Sequence, residues 1–298
     1  MTTPVVALKF QIGARTIAAI PRRLVRVPFT LDAVLAATRP DLPPLPDDAD
    51  GYLVTSQPEP IPAELHAQGL LATVRQRYTR YHVDLAVGEA AWLAGLSGSA
   101  RSTIKRKAKT LAAANGGALD IRAYRTTEEL AAFHPLARIV SATTYQERLL
   151  DSGLPDDAAM LLRHAAEDRA RAWLLFVGGK PIAYLCCTAE GASLRYDHVG
   201  HDPAYNDLSP GAVLQVEALR ALFAEGRFAR FDFTEGEGQH KRQFSTGGTA
   251  CVDLLLLRPT LANRAAIAAL RTFDAAIALA KRAATHLIPV RLARKIRR

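Results

Sequence analysis

Hydrophobic and polar positions alternate from the start of the chain. Val6, Leu8, Phe10 and Ile12 are interleaved with Ala7, Lys9 and Gln11, and a second run through Ile17 and Ile20 follows Gly13. A period of two broken by a glycine predicts an N-terminal β-hairpin. Pro40, Pro43, Pro44, Pro46, Pro58, Pro60 and Pro62 then bar a regular helix, leaving an extended connection around a short strand at 52–55. A strand is predicted at 81–85 and a short helix at 89–96. From Ser99 the period lengthens: Ile104, Ala108 and Leu111 form one stripe, Ser99 is placed as the cap, and Asn115-Gly116-Gly117 supplies the stop. Thr126 with Glu129 has the spacing of a capping box for the next helix, which contains Pro135. Pro155-Asp156-Asp157 is expected to open another, through Leu161, Leu162 and Ala165.

The clearest pattern begins at Ala172. Apolar runs at 172–177, 181–188 and 192–199, separated by Gly178-Gly179-Lys180 and Glu190-Gly191, predict an antiparallel meander. Ser209 and Pro210 stand where a cap and first helical residue belong, Leu214, Ala218 and Leu222 line the helix, and Gly226 ends it. A strand at 228–233, one or two helical turns at 238–245 and a strand at 251–257 complete the order βββαβαβ. Residues 261–287 return to helical spacing, with Ile267, Leu270, Phe273 and Ile277 on one side, before Pro289 breaks it. These elements predict an α/β fold with three segments: a strand-rich lobe at 1–80, an α/β domain at 81–258, and a basic amphipathic helical tail at 259–298.

Composition narrows the class. The chain has 298 residues, 49% of them hydrophobic, which is ample for a sizeable core. Its longest stretch without an acidic or basic residue runs only from Ala90 to Ala100, against the roughly 20 residues of a membrane span. Lys9, Gln11 and Arg15 interrupt the first apolar run, so no secretory layout is evident and a cytoplasmic location is expected. Cys186, Cys187 and Cys251 give neither a disulfide framework nor metal-ligand spacing, and no metal site is expected. The net charge of +9 is uneven, because residues 258–298 hold ten Lys and Arg against the single acid Asp274. That tail reads either as a solvated helix packed on the body or as a helix lying on an anionic membrane surface, which would put the protein at the periphery of an inner membrane.

Several constellations carry chemistry. The first-turn amides of the helix at 210 form an anion site, and Gly211 allows a phosphate close to the backbone. Arg101, Lys105 and Lys109 share one stripe of the helix over 100–114, with Arg106 and Lys107 beside it, so either a counter-anion or solvent must offset their repulsion. Asp232, Glu235, Glu237, His240 and Lys241 fall within ten positions after a strand. In acyl transfer to an amine, any of the three carboxylates is a candidate base, and His240 a proton shuttle. Lys241 is a candidate phosphate ligand or a partner for Asp232. A plain polar turn is the other reading. Simple alternation places Tyr196 and His198 on one face of their strand with Asp197 on the other, making Tyr196 a candidate acid. His201 and Asp202 follow in the next loop. Walker, Rossmann, nucleophile-elbow and H-E-x-x-H motifs are absent.

The strings at 97–111 (SGSARSTIKRKAKTL), 178–183 (GGKPIA), 202–211 (DPAYNDLSPG) and 232–244 (DFTEGEGQHKRQF) resemble the GNAT acyltransferase superfamily. More narrowly, they are similar to its bacterial cellulose or exopolysaccharide biosynthesis branch, whose relatives include the Fem-type aminoacyl transferases. The similarity spans roughly residues 80 to 258. It implies a GNAT-like mixed sheet flanked by helices, with a divergent N-terminal lobe, in which the parallel strands at 192–199 and 228–233 splay to admit the pantetheine arm of an acyl-CoA. Ser209, Pro210, Gly211, Arg101, Lys105 and Lys241 are then the residues expected around the cofactor, and Tyr145, His198 and Asp202 those expected around the acceptor. The expected activity is N-acyl transfer from acetyl-CoA or another acyl-CoA to an amine of a sugar, amino acid or cell-envelope precursor. The usual spaced-glycine phosphate signature does not precede the helix at 210, and a Fem-type transfer from aminoacyl-tRNA is one alternative. A non-catalytic adaptor held at a membrane by its tail is another.

Overall fold

A computed structural model of the chain describes residues 2–12, 15–63, 65, 69–144, 147 and 153–287. The chain divides into two compact units that do not follow sequence order: one of residues 1–29, 37–77 and 251–298, the other of residues 30–36 and 78–250.

In the first unit the predicted hairpin forms from β1 (Val5–Ile12) and β2 (Arg15–Pro28), paired antiparallel. β2 runs well past Ile20 because Leu24 to Pro28 pair in parallel with β3 (Gly51–Pro58). β3 in turn pairs antiparallel with Cys251 to Leu257 of the strand that ends at Leu257. The C-terminal helix occupies Leu261–Leu287, as its spacing predicts. Ile267 and Leu270 are buried in one cluster with Leu8, Leu24, Leu255 and Leu257. Through these positions the expected tail is therefore a packed part of this unit. Residues 288–298, the most basic part of the expected tail, lie outside the described residues.

The second unit has a short helix α1 (Leu31–Leu35), then β4 (Leu71–Asp84, of which 78–84 belong here), α2 (Glu89–Gly95), α3 (Gly98–Ala114), β5 (Asp120–Tyr124), α4 (Thr127–Ser141) and α5 (Ala159–Ala166). It continues with β6 (Ala170–Val177), β7 (Lys180–Glu190), β8 (Ser193–His201), a 3₁₀ turn (Pro203–Leu208), α6 (Pro210–Glu225), β9 (Arg230–Asp232), α7 (Gln239–Phe244) and β10 (Gly247–Leu257), which leads into the first unit. The C-terminal helix is α8. The strand order is β4-β9-β8-β7-β6-β5, with β8 and β9 parallel and the remaining pairs antiparallel.

Strand alternation builds two cores. Trp173, Leu175, Ala183, Leu185 and Cys187 face a cluster completed by Trp92 of α2, Leu111 of α3 and Val213, Leu214, Ala218 and Leu222 of α6. The intervening Ala172, Leu174, Phe176, Tyr184 and Cys186 face α4 and α5, through Leu130, Phe133, Ala137, Leu161 and Ala165. Both faces of the central strands are thus covered, and β6 and β7 read as nearly continuous apolar runs. Cys186 and Cys187 are buried and free, and burial pushes both thiols far above their usual range.

Some local signals act at shifted positions. The capping box of Thr126 and Glu129 is present, and α4 continues through Pro135. α3 is capped by Ser97, whose hydroxyl accepts from the Ala100 amide, rather than by Ser99. Pro155-Asp156-Asp157 does not open α5 directly: Asp157 accepts from the Ala159 amide and the helix begins there. The strand expected at 228–233 is three residues long, because its neighbour β8 stays paired only to that extent.

Candidate active site

The site is built on the end of the parallel pairing. Ser193, Leu194 and Arg195 of β8 pair with Arg230, Phe231 and Asp232 of β9, and the register stops there. β8 continues to His201 while the chain beyond β9 leaves for the loop before α7. A cavity of about 270 Å³ lies beside the unpaired part, lined by Tyr196, Val199, Gly200, His201, Gly211, Ala212, Gln215 and His240. A second, of about 320 Å³, shares Ala212 and His240 with it and adds Thr103 and Lys107 of α3 and Gln239 and Gln243 of α7. A third, of about 480 Å³, shares Thr103, Lys107, Gln239 and Gln243 and reaches Ser97, Ser99 and Arg242. Together they trace one groove, from the gap in the sheet past the start of α6 to the start of α3.

At its deep end the groove has unsatisfied donors. Ser209 precedes α6 in the left-handed conformation, with φ 52° and ψ 50°, and its side chain makes no cap bond. The first-turn amides of Gly211 and Ala212 are thus left for another acceptor. A side-chain carbon at Gly211 would come no closer than 3.5 Å, to His201 Nδ1, so the backbone is open on that side. Gln215, one turn further along, is only 5% exposed, and its buried Nε2 has no hydrogen-bond partner among the described residues. A buried donor without a partner costs about 1–3 kcal/mol, which a ligand accepting from it would recover.

Tyr196 stands against Phe231 and Phe233, at ring-centroid distances of 6.3 and 6.1 Å, with His240 at 6.5 Å. Its hydroxyl makes no hydrogen bond among the described residues, and burial pushes its pKa up to about 12. The His240 pKa is lowered, by desolvation first and then by the neighbouring Lys241 ammonium. Near neutral pH the pair is therefore a protonated phenol and a neutral imidazole.

Tyr196 and His198 do not share a face, contrary to simple alternation. Cys187 pairs with Tyr196 and Cys186 with His198, so Asp197 is an extra residue in β8, a β-bulge. The bulge turns His198 to the opposite side, where it lines a cavity of about 170 Å³ with His134, Leu154, Met160, His164, Arg195 and Asp197. Desolvation lowers the His198 pKa, against the nearby Asp197 carboxylate, which raises it. Asp197 is held by Thr188 Oγ1 and Arg195 Nε, both at 2.6 Å.

Most of the other residues that the sequence points to are bound into the scaffold or lie outside the groove. Asp232 and Arg80 form an ion pair at 2.6 Å with both side chains 1% exposed. Asp232 Oδ1 also accepts from Arg80 Nε and the Thr234 amide, so both oxygens are occupied and shielded. Glu237 accepts from the Thr79 amide and from Arg242, which lowers its pKa. Glu235 is exposed, and its carbonyl accepts from the buried Lys241 Nζ at 2.6 Å. Asp202 caps the 3₁₀ turn through the Ala204 amide and pairs with Lys180 at 2.8 Å. Arg101 donates to the Leu93, Ala94 and Leu96 carbonyls at the end of α2, and Lys105 and Lys109 lie outside the groove lining. Tyr145 falls outside the described residues. The groove is met instead by Thr103 and Lys107, one turn apart on a different stripe of α3. Gln215 was also missed. It had a visible signal, a lone polar residue within the apolar run Val213-Leu214-Gln215-Val216.

A mixed sheet whose parallel pair parts beside an uncapped helix start is the architecture of the acyltransferase class that the sequence resembles. Residues 98–242 match the family described as an acetyltransferase (GNAT) domain. The chain contains a GNAT-type acetyltransferase domain and is an N-acyltransferase enzyme. No protein with a curated description matches it. Among solved structures it is similar to the C-terminal domain (DUF2156) of a candidate lysylphosphatidylglycerol synthetase from Agrobacterium fabrum, with 13% identity, 76% of this chain and 72% of that one covered, and a TM-score of 0.52. It is also similar to a conserved protein of unknown function from Bacteroides thetaiotaomicron, with 12% identity, 69% of each chain covered and a TM-score of 0.50. FemX matches at 12% identity over 71% of this chain and 73% of that one, with a TM-score of 0.46. These likenesses concern the fold. Among the described residues no group of His, Cys, Asp or Glu is arranged to hold a metal ion.

Proposed function

We propose that the domain transfers an acyl group, acetyl in the simplest case, from acyl-CoA to a primary amine. The observation that carries this reading is the early end of the β8–β9 pairing, beside a groove with free helix-start amides and an orphaned Gln215 donor. Gly211, Ala212, Lys107 and Arg242 offer backbone and cationic donors to phosphates. The thioester end then reaches the gap where Tyr196 and His240 stand.

The acceptor amine enters from the opposite face, through the cavity lined by His198 and His134. Its nitrogen must be neutral to attack, so a group on that side has to take a proton. His198 is the base in this reading, with the Asp197 carboxylate beside it. The new C–N bond forms as the C–S bond breaks, the amine proton passes to His198 and from it to solvent, and Tyr196 gives its proton to the departing thiolate and regains one from solvent, with neutral His240 beside it as the relay. The Asp232 and Glu237 carboxylates and the Glu235 backbone carbonyl hold the loop that carries His240. Acceptors in keeping with the resemblance are amines of sugars, amino acids or cell-envelope and exopolysaccharide precursors, met in the cytoplasm.

The pH dependence of kcat/KM tests the base. Because the His198 pKa is lowered, the neutral form persists below pH 6.5, and activity is expected to fall only on the acid side of that value. His198→Gln should lose about 10²-fold or more in kcat and flatten the acid limb. An unchanged profile in that variant assigns the proton elsewhere.

A second reading has one specific observation behind it. Lys105, Arg106 and Lys109 are exposed and make no ion pair among the described residues, and α3 contains no acidic residue. A polyanion such as an aminoacyl-tRNA donor would meet that surface.

A further inference from the structure

The first unit carries a feature that acyl transfer does not use. α8 buries Asn263, Ala266, Ile267 and Leu270 on one side. At 100° per residue, Leu261, Arg264, Ala268, Arg271, Ala275 and Leu279 fall within an arc of about 80° on the solvent side, next to the buried stripe. An outward helix face is ordinarily polar. This one displays Leu261 at 86% and Leu279 at 69% exposure, among the largest exposed apolar side chains in the protein. Its charged members are all cationic. Arg264 makes no side-chain hydrogen bond or ion pair among the described residues, and Arg271 spends only its Nε, on Thr73 Oγ1 at 3.3 Å. The one acid of the helix, Asp274, is turned away and paired with Arg75 at 2.8 Å. Between the arginines and β4 runs an open groove of about 540 Å³ with Leu70, Leu71, Ala72 and Ile267 on its walls and, among the described residues, no carboxylate in its lining.

From this we infer that the outward face of α8 docks on an anionic phospholipid bilayer, with Arg264 and Arg271 at the headgroup phosphates and Leu261 and Leu279 in the acyl boundary. The combination decides the partner. Guanidinium groups alone would suit any polyanion, but two largely exposed leucines on the same stripe lose water only against an apolar medium. No helix among the described residues is long and apolar enough to cross a membrane, so the contact is a helix lying in the interface. Sequence adds to it, since Arg291, Arg294, Lys295, Arg297 and Arg298 follow the helix without an intervening acid.

Flotation of the full chain with vesicles tests this. Binding is expected to mixed phosphatidylcholine and phosphatidylglycerol vesicles, to weaken with salt, and to be far weaker on phosphatidylcholine alone. Arg264→Gln with Arg271→Gln should reduce affinity about thirtyfold, from the loss of two cations at the surface. Leu261→Ser with Leu279→Ser, a second pair that leaves the charge unchanged, should also release the protein. All four positions are solvent-facing, so thermal melts and acyl transfer in solution should match the parent. Equal binding to both vesicle types, or binding that both pairs of substitutions leave intact, overturns the proposal. So does binding of RNA or of an acidic protein in place of vesicles.

Discussion

Tyr196→Phe is expected to lower kcat by about 10²–10⁴-fold while leaving the fold and the affinity for the acyl donor close to those of the parent. The substitution deletes one oxygen and keeps the ring that packs on Phe231 and Phe233. A tyrosine whose hydroxyl only completed a core hydrogen bond would show its loss in stability; this hydroxyl has no such bond among the described residues. With its pKa pushed up to about 12, the phenol stays protonated through the range in which an amine acceptor is reactive. It can therefore give a proton to a leaving thiolate but cannot serve as a base. Single-turnover measurement separates this chemical step from product release. A Tyr196→Phe enzyme with undiminished single-turnover rate would remove the acid assignment. His240→Gln would then be the variant to measure, because that ring also lines the gap and stands 6.5 Å from the Tyr196 ring.

The second large effect is on stability. Arg80→Ala should destabilise the protein by about 3–5 kcal/mol, because it leaves the Asp232 carboxylate buried without its counter-charge. Asp232→Ala should cost a similar amount for the same reason. Replacing both together, Arg80→Met with Asp232→Leu, should recover much of the loss, since similar volume is kept and no lone charge remains. Urea titration of the four proteins reads this coupling. The ion pair joins β4 to β9 at the point where β9 ends, so it also sets where the chain departs from β8. If Asp232→Ala instead kept full stability and lost turnover, the carboxylate would belong to the chemistry after all.

The sequence made the scaffold legible wherever one periodicity ran uninterrupted. The meander of β6 to β8, the capping box of α4 and the stop of α6 at Gly226 each rest on a local rule that packing did not override. Site residues were less legible because each depended on a partner distant in the chain. Asp232 looked like a base in a loop rich in charge, and only the fold brings Arg80 against it, 152 positions earlier. His198 was assigned the face of Tyr196 because a bulge at Asp197 leaves no trace in the alternation of side chains. On α3 the densest cationic stripe is the more conspicuous in sequence, but Lys107 lines the groove, because periodicity alone does not give orientation toward it. Ser209 reads as a cap by type, yet its left-handed backbone turns the side chain from that role and frees the amides it would have covered.

Calorimetric titration of the intact protein with acetyl-CoA, beside a parallel titration with deacylated tRNA, is the most direct measurement. A saturable acetyl-CoA isotherm is predicted, abolished by Gly211→Glu, which would set a carboxylate where the phosphates approach the α6 amides. No acetyl-CoA binding at millimolar concentration, together with salt-dependent binding of tRNA that Lys105→Gln, Arg106→Gln and Lys109→Gln remove, would contradict it and turn the groove over to an aminoacyl-tRNA donor.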